Sequence, residues 1–259
     1  MFSKPSSFLL SAAAMAAGVL VAGAGNAQAT VIYSQTFNSS TSALTGTQPT
    51  VDTGSATWAA PFGASFAQNG TIQYQGVSAL PFTPVTGNTY TLSGEISSTA
   101  AAGNSGYWAG IGFWNTWPSS SDAPIATLTA GGQLAFYATD YAASGGGTNV
   151  ATFSTTLSSL NVTMVLNTSA PQWTVSYSAD GGLYTANYTY AAGSNPTNIP
   201  GVMLVQGSNN SGAGIPGWPV QASAFELQVS SVPEPATLLF MGLGGLGLLL
   251  FKRKGKAPA

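Results

Sequence analysis

Short runs that alternate apolar and polar side chains recur from Val31 to Ser231, and each run is cut off by Gly, Pro, Asn or Ser. Leu160, Val162, Met164 and Leu166 take every second place in one run. Trp173, Val175 and Tyr177 do so in the next, and Tyr184, Ala186, Tyr188 and Tyr190 in the one after. Period two is the signature of a half-buried strand, because successive strand side chains point to opposite faces. Asp180-Gly181-Gly182 between two such runs predicts a hairpin turn.

The same texture predicts strands at Val31–Phe37, Thr71–Gln75, Thr89–Ser97, Tyr107–Asn115, Gln133–Thr139, Asn149–Ser154, Gly201–Gln206 and Phe225–Val229. No amphipathic helix is legible between residues 30 and 231. About a dozen short strands with polar turns predict an all-β, antiparallel jelly-roll sandwich or a barrel. Thr89-Tyr-Thr-Leu-Ser, Tyr107-Trp-Ala-Gly-Ile-Gly-Phe113, the Asp180-Gly181 hairpin and the closing Ala224-Phe-Glu-Leu-Gln-Val229 carry a further likeness. In order and texture they resemble the concanavalin A-like lectin and glucanase sandwiches, laminin-G-like modules included.

Charge and reactive side chains narrow the function. Between residues 30 and 231 stand six acids (Asp52, Glu95, Asp122, Asp140, Asp180 and Glu226) and no base. Nucleic-acid binding needs Lys or Arg against phosphate and is excluded as an expectation. The chain has no His and no Cys, which closes the Ser-His-Asp triad, the cysteine nucleophile and His- or thiolate-ligated metals. Glycoside hydrolysis needs only two carboxylates. The glucanases that this sandwich resembles carry a Glu-x-Asp-x-x-Glu cluster on one strand. Here Glu95 stands alone in Leu-Ser-Gly-Glu-Ile-Ser. The domain is therefore expected not to be an enzyme and to need no cofactor.

Two binding candidates remain. In Tyr107–Asn115, Trp108, Gly110, Gly112 and Trp114 share one strand face, a bare backbone floor with an indole at each end. With Trp117 as a wall, the floor is a candidate glycan seat, sugar rings packing on the indole faces. The alternative is that Trp108 and Trp114 are buried and the glycines mark close backbone approach. Asp140 and Asp180 are candidate calcium ligands, or simply turn aspartates.

The two ends read as addresses. Met1–Ala29 has the layout of a secretory signal peptide: Lys4, an apolar run from Phe8 to Val21, and a small-residue cleavage site at Ala27-Gln28-Ala29. At the other end, Leu238–Phe251 is 14 residues free of charge, followed by Lys252, Arg253 and Lys254. As a helix it would be about 21 Å long against a hydrocarbon core of about 30 Å. Val232-Pro233-Glu234-Pro235 precedes it.

Motif, marginal helix and basic end, over Val232–Lys256, resemble the PEP-CTERM sorting domain. The resemblance implies an exosortase-type membrane transpeptidase as partner, in a Gram-negative bacterium that makes exopolysaccharide. Pro-Glu-Pro is then the recognition motif and Lys252-Arg253-Lys254 the basic stop. A plain, uncut membrane anchor is the alternative. Similar tails occur on some ice-binding proteins.

The expected organisation is thus a signal peptide (1–29), a β-sandwich domain (30–231) and a sorting and anchor segment (232–256). The expected function is a non-catalytic surface or matrix protein, anchored first in the inner membrane through the C-terminal helix, whose sandwich binds exopolysaccharide. A glycosidase and an ice-binding or adhesive protein are the alternatives. The ice reading needs a regular Thr-rich face, and no repeated Thr-x-Thr ladder runs along any one stretch of the chain.

Overall fold

Among the described residues, fifteen strands bear out the all-β reading. The structure, a computed structural model, describes residues 28–72, 75–98, 107–114, 123–129, 131–139, 147–156, 158–208 and 220–231. In chain order the strands are β1 (Thr30–Thr36), β2 (Val51–Asp52), β3 (Ala59–Gly63), β4 (Thr71–Ile72), β5 (Gly76–Pro81), β6 (Asn88–Ser98), β7 (Tyr107–Trp114) and β8 (Ile125–Thr129). They continue with β9 (Gln133–Tyr137), β10 (Asn149–Ser154), β11 (Ser159–Asn167), β12 (Thr174–Ala179), β13 (Tyr184–Thr189), β14 (Gly201–Ser208) and β15 (Val220–Ser231). Among the described residues the only helical element is a 3-10 turn at Asp180–Gly182.

The strands form two antiparallel sheets. The larger runs β13-β12-β11-β6-β15-β1-β2, with β4 also on β15, and the smaller β10-β9-β8-β7-β14-β5-β3. Residues Ala29–Ser230 pack as one compact unit. Alternation decides which side chains meet between the sheets. On β6 Tyr90, Leu92 and Ile96 point inward, on β11 Leu160, Val162, Met164 and Leu166, and on β12 Val175, Tyr177 and Ala179. From the other sheet Ala109, Ile111, Phe113, Leu134, Phe136, Val202 and Leu204 face them. Burial of these side chains, at about 25 cal/mol per Å² of apolar surface, is the main force holding the layers together.

Tyrosines fasten the two sheets. The Tyr177 ring stacks on Phe136 of the opposite sheet, centroids 4.8 Å apart, and its hydroxyl donates to the Tyr137 carbonyl at 2.6 Å. Tyr190 donates to the Ala138 carbonyl at 2.7 Å and Tyr33 to the Pro81 carbonyl at 2.6 Å. Each fills core volume and satisfies its own polar end across the layer gap, as a buried tyrosine must.

Some expectations need correction. The expected Asp180 hairpin is present, but its connection is longer than the Asp-Gly-Gly triplet. Ala179 pairs with Tyr184, so four residues make the connection, and Asp180, Gly181 and Gly182 all take positive φ (49°, 66° and 98°). Two adjacent glycines supply a left-handed stretch that other residues adopt only at a cost. Of the run expected at Thr71–Gln75, Thr71–Ile72 form a strand, residues 73–74 lie outside the described residues, and the next strand begins at Gly76. β3, β5 and β8 escape the period-two reading. β5 is buried on both faces, so it has no polar alternate positions to read, and the four residues Ile125–Leu128 of β8 are buried likewise.

Candidate functional site

The outer face of the larger sheet collects polar side chains. Strand pairing sets Asn161 of β11 opposite Glu95 of β6. The Glu95 carboxylate accepts a hydrogen bond from Ser159 Oγ at 2.5 Å and another from Ser223 Oγ of β15. These two hydroxyls hold the carboxyl below its ordinary range, against a smaller opposing effect of burial. On the other side of β11, Asp180 follows the pair Val162–Ala179, and its Oδ1 accepts from the Asn161 backbone N–H at 3.1 Å. Glu95 and Asp180 thus flank Asn161, their backbones about 10 Å apart at two strand spacings.

A shallow trough of about 310 Å³ opens beside Glu95. Ser34 and Thr36 of β1, Ser223 and Glu226 of β15, Ser93 of β6, and Asn161 and Thr163 of β11 line it. Gly94, between Ser93 and Glu95 on β6, faces the core: a Cβ there would lie 2.6 Å from Ile111 Cδ1 of the opposite sheet. A carboxylate, hydroxyls and amides in a hollow with no cation can accept and donate hydrogen bonds to a neutral polyhydroxyl ligand.

The same pairing extends the polar face into rows. Thr89, Asn167, Thr174 and Thr189 stand side by side on β6, β11, β12 and β13. The next row is Thr91, Val165, Ser176 and Asn187, and the third is Ser93, Thr163, Ser178 and Thr185. The rows mix Thr, Ser and Asn, with Val165 in the second, and are assembled by four strands across the sheet. Sequence reading missed them because the rows exist only in the pairing register.

The predicted glycan floor is packed differently from expectation. Trp108 is 4% exposed and lies among Val77, Ala79, Ile125, Met203 and Val205, a second apolar cluster on the far side of the smaller sheet. Its ring lies over Gly207 of the paired strand, where a Cβ would meet Trp108 Cζ2 at 2.2 Å. Ile125 lies over the other two glycines, its Cδ1 3.2 Å from the place of a Cβ on Gly110 and its Cβ 3.0 Å from that on Gly112. Trp108 is therefore a packing residue and not an open platform, because the strand face that was to seat sugar is already filled.

The Trp114 side chain and Trp117 lie outside the described residues, as do Asp140, Ala27, Val232–Pro235, Lys252–Lys254 and the apolar run Leu238–Phe251. Ala29 is exposed, one residue before β1. Among the described residues no group of three or more His, Cys, Asp or Glu could hold a metal, and no helix is long and apolar enough to cross a membrane.

Fold and tail now define a class: an antiparallel β-sandwich followed by a sorting motif. Residues 231–254 match the model of the PEP-CTERM protein-sorting motif. The motif marks an exported protein sorted through an exosortase to the membrane and cell surface. By sequence, no curated protein matches the chain.

Among solved structures, the chain is similar to an endo-1,3-beta-glucanase from Streptomyces sioyaensis. The TM-score is 0.51 at 16% identity, over 79% of this chain and 97% of that one. A carbohydrate esterase from the Shiga toxin-encoding bacteriophage phi24B also matches, with TM-score 0.47 and 10% identity over 79% of this chain and 100% of that one. Lectin II from Ulex europaeus matches with TM-score 0.41 and 9% identity, over 73% of this chain and 96% of that one. The expectation that the domain is not an enzyme is corrected here: the sandwich has the fold on which a glucanase is built, so the lack of a one-strand acid cluster does not exclude catalysis.

Proposed function

We propose that the chain is a surface or matrix protein of a polysaccharide-producing Gram-negative bacterium, and that it binds polysaccharide in the trough beside Glu95. A signal peptide, Met1–Ala29, takes it across the inner membrane, and the apolar run Leu238–Phe251 holds it there until the tail is removed at Pro-Glu-Pro. Intact mass of the protein from producing cells tests removal: a species ending near Val232–Pro235 supports it, and a full-length C-terminus means simple anchoring.

The observation that carries the binding reading is Glu95 itself. It is an acceptor fixed by two serine hydroxyls, and Ser223, which bonds it, and Asn161, which pairs with it, both line the hollow. Charge-assisted hydrogen bonds from sugar hydroxyls are the strong contacts available there. Calorimetric titration of the full-length chain in detergent with soluble β-1,3-glucan oligosaccharides tests it. Glu95→Gln and Asn161→Ala are expected to weaken binding about tenfold or more, the scale of one charged hydrogen bond of about 1.5–3 kcal/mol. Equal affinity in all three proteins removes the trough from the reading.

Hydrolysis is a second reading, favoured by Glu95 and Asp180 on either side of Asn161. Inverting glycosidases set their two carboxyl groups roughly 6.5–9.5 Å apart. Release of reducing ends that Glu95→Gln abolishes would establish it. No release under conditions of saturated binding leaves binding alone.

A further inference from the structure

We propose that the outer face of β6, β11, β12 and β13 is a second contact surface, for long neutral polysaccharide chains that extend beyond the trough. This rests on the reading of the trough as a sugar site.

Three observations carry it. The first is order. The three rows that begin at Thr89, Thr91 and Ser93 repeat on four strands, spaced about 4.8 Å across the sheet and about 6.8 Å along it. The second is unspent hydrogen-bonding capacity. Among the described residues, no protein group bonds the side chains of the second and third rows, which are exposed on β13 and half-buried on β6, β11 and β12. The third is charge. A solvent-facing edge strand usually carries Lys or another charge to block pairing with other chains. β13 carries none, and no row contains a charged residue.

The surface adjoins the trough, because Ser93 and Thr163 belong to both. A chain seated by Glu95 therefore runs onto the rows without crossing a barrier. The rows supply many weak, exchangeable hydrogen bonds and no aromatic anchor, so short oligosaccharides gain little there. A long chain gains by multivalency, since its first contact raises the effective concentration for the rest.

Charge selects the class of ligand. Between residues 30 and 231 the chain has six acids and no base. An acidic polysaccharide meets the acids at the trough and no cation on the rows, whereas a neutral one meets no penalty. Twist selects chains over a rigid crystal plane. Adjacent strands rotate by about 20–25°, so four strands accumulate roughly 60–75°. A flexible polymer follows that surface and a flat lattice plane does not.

The test is co-sedimentation of the full-length chain in detergent with insoluble β-1,3-glucan particles and, separately, with a polygalacturonate gel. Ser176→Lys with Asn187→Lys places charge on the middle row, away from the trough. Ser176→Ala with Asn187→Ala removes hydrogen-bonding groups without adding charge, and covers the case in which the lysine variant fails to fold. The wild type is expected to sediment with glucan and not with polygalacturonate. Both double variants are expected to lose at least fivefold in glucan affinity while binding short oligosaccharides at the trough within twofold of wild type. Glu95→Gln is expected to lose the short oligosaccharides first.

Unchanged glucan affinity in both double variants overturns the second surface and leaves the trough reading standing. Equal sedimentation of the wild type with polygalacturonate overturns the choice of a neutral ligand. Ice adsorption that the double variants abolish, without any glucan binding, overturns the surface as a sugar site. Loss of short-oligosaccharide binding in Glu95→Gln alone, with the rows inert, confines recognition to the trough.

Discussion

Glu95 shows how one residue changes meaning between sequence and structure. In the sequence it is an isolated acid with no partner in sight. In the fold, Ser159 and Ser223 arrive from two other strands, 64 and 128 residues away in the chain, to bond its carboxylate. Its carboxyl is therefore held below the usual range in the folded state. A depressed folded value stabilises the fold above the unfolded carboxylate range, near pH 4.3, and that contribution is lost as pH falls through the lower folded value. Glu95→Gln is expected to lower stability modestly at pH 7–8 and to flatten the acid limb below about pH 4.3, so that the variant and wild-type curves converge at low pH. Urea midpoints across pH 2–8 measure this. A steeper acid limb in the variant would show that the two serines do not stabilise the ionised form. Tyr177 works in the opposite sense at high pH. Burial pushes its hydroxyl well above the ordinary value, so its contribution holds below about pH 10 and is lost as pH rises through the folded value.

At the scale of elements, packing of side chains onto glycines decides the smaller sheet. The Trp108 ring occupies the space above Gly207, and Ile125 the space above Gly110 and Gly112. Gly207→Ala is expected to destabilise the fold by about 1–3 kcal/mol through overpacking against the indole. Trp108→Ala is expected to cost about 3–5 kcal/mol through the cavity it leaves. Denaturant unfolding followed by circular dichroism reads both. A Trp108→Ala protein of full stability would mean that the indole is not a packing residue. Strand existence was legible where one face is wet: β11, β12 and β13 alternate cleanly and fall where period two puts them. It was illegible in β5 and β8, where neighbours bury both faces and erase the alternation. The Trp floor misled for a related reason. Periodicity gives the face a side chain points to, but not whether another layer already fills that face. The Ser, Thr and Asn rows were hidden because register between distant strands has no trace in a local window.

For the whole molecule, the ends and the middle carry separate information. The sorting motif was legible, since it is a linear pattern, and residues 231–254 match its model. The domain's polar trough was not, because its residues come from β1, β6, β11 and β15. What the sequence did show is the charge balance. With six acids and no base between residues 30 and 231, the domain offers no cation to an anionic polymer. The most direct measurement is retention of the full-length chain on an array of neutral and acidic polysaccharides, at low and at high salt, beside its Glu95→Gln variant. Retention on neutral polysaccharides, insensitive to salt and weakened about tenfold by Glu95→Gln, is the expected result. Absence of retention on every neutral polysaccharide, or equal retention of wild type and variant, would contradict polysaccharide binding at the trough.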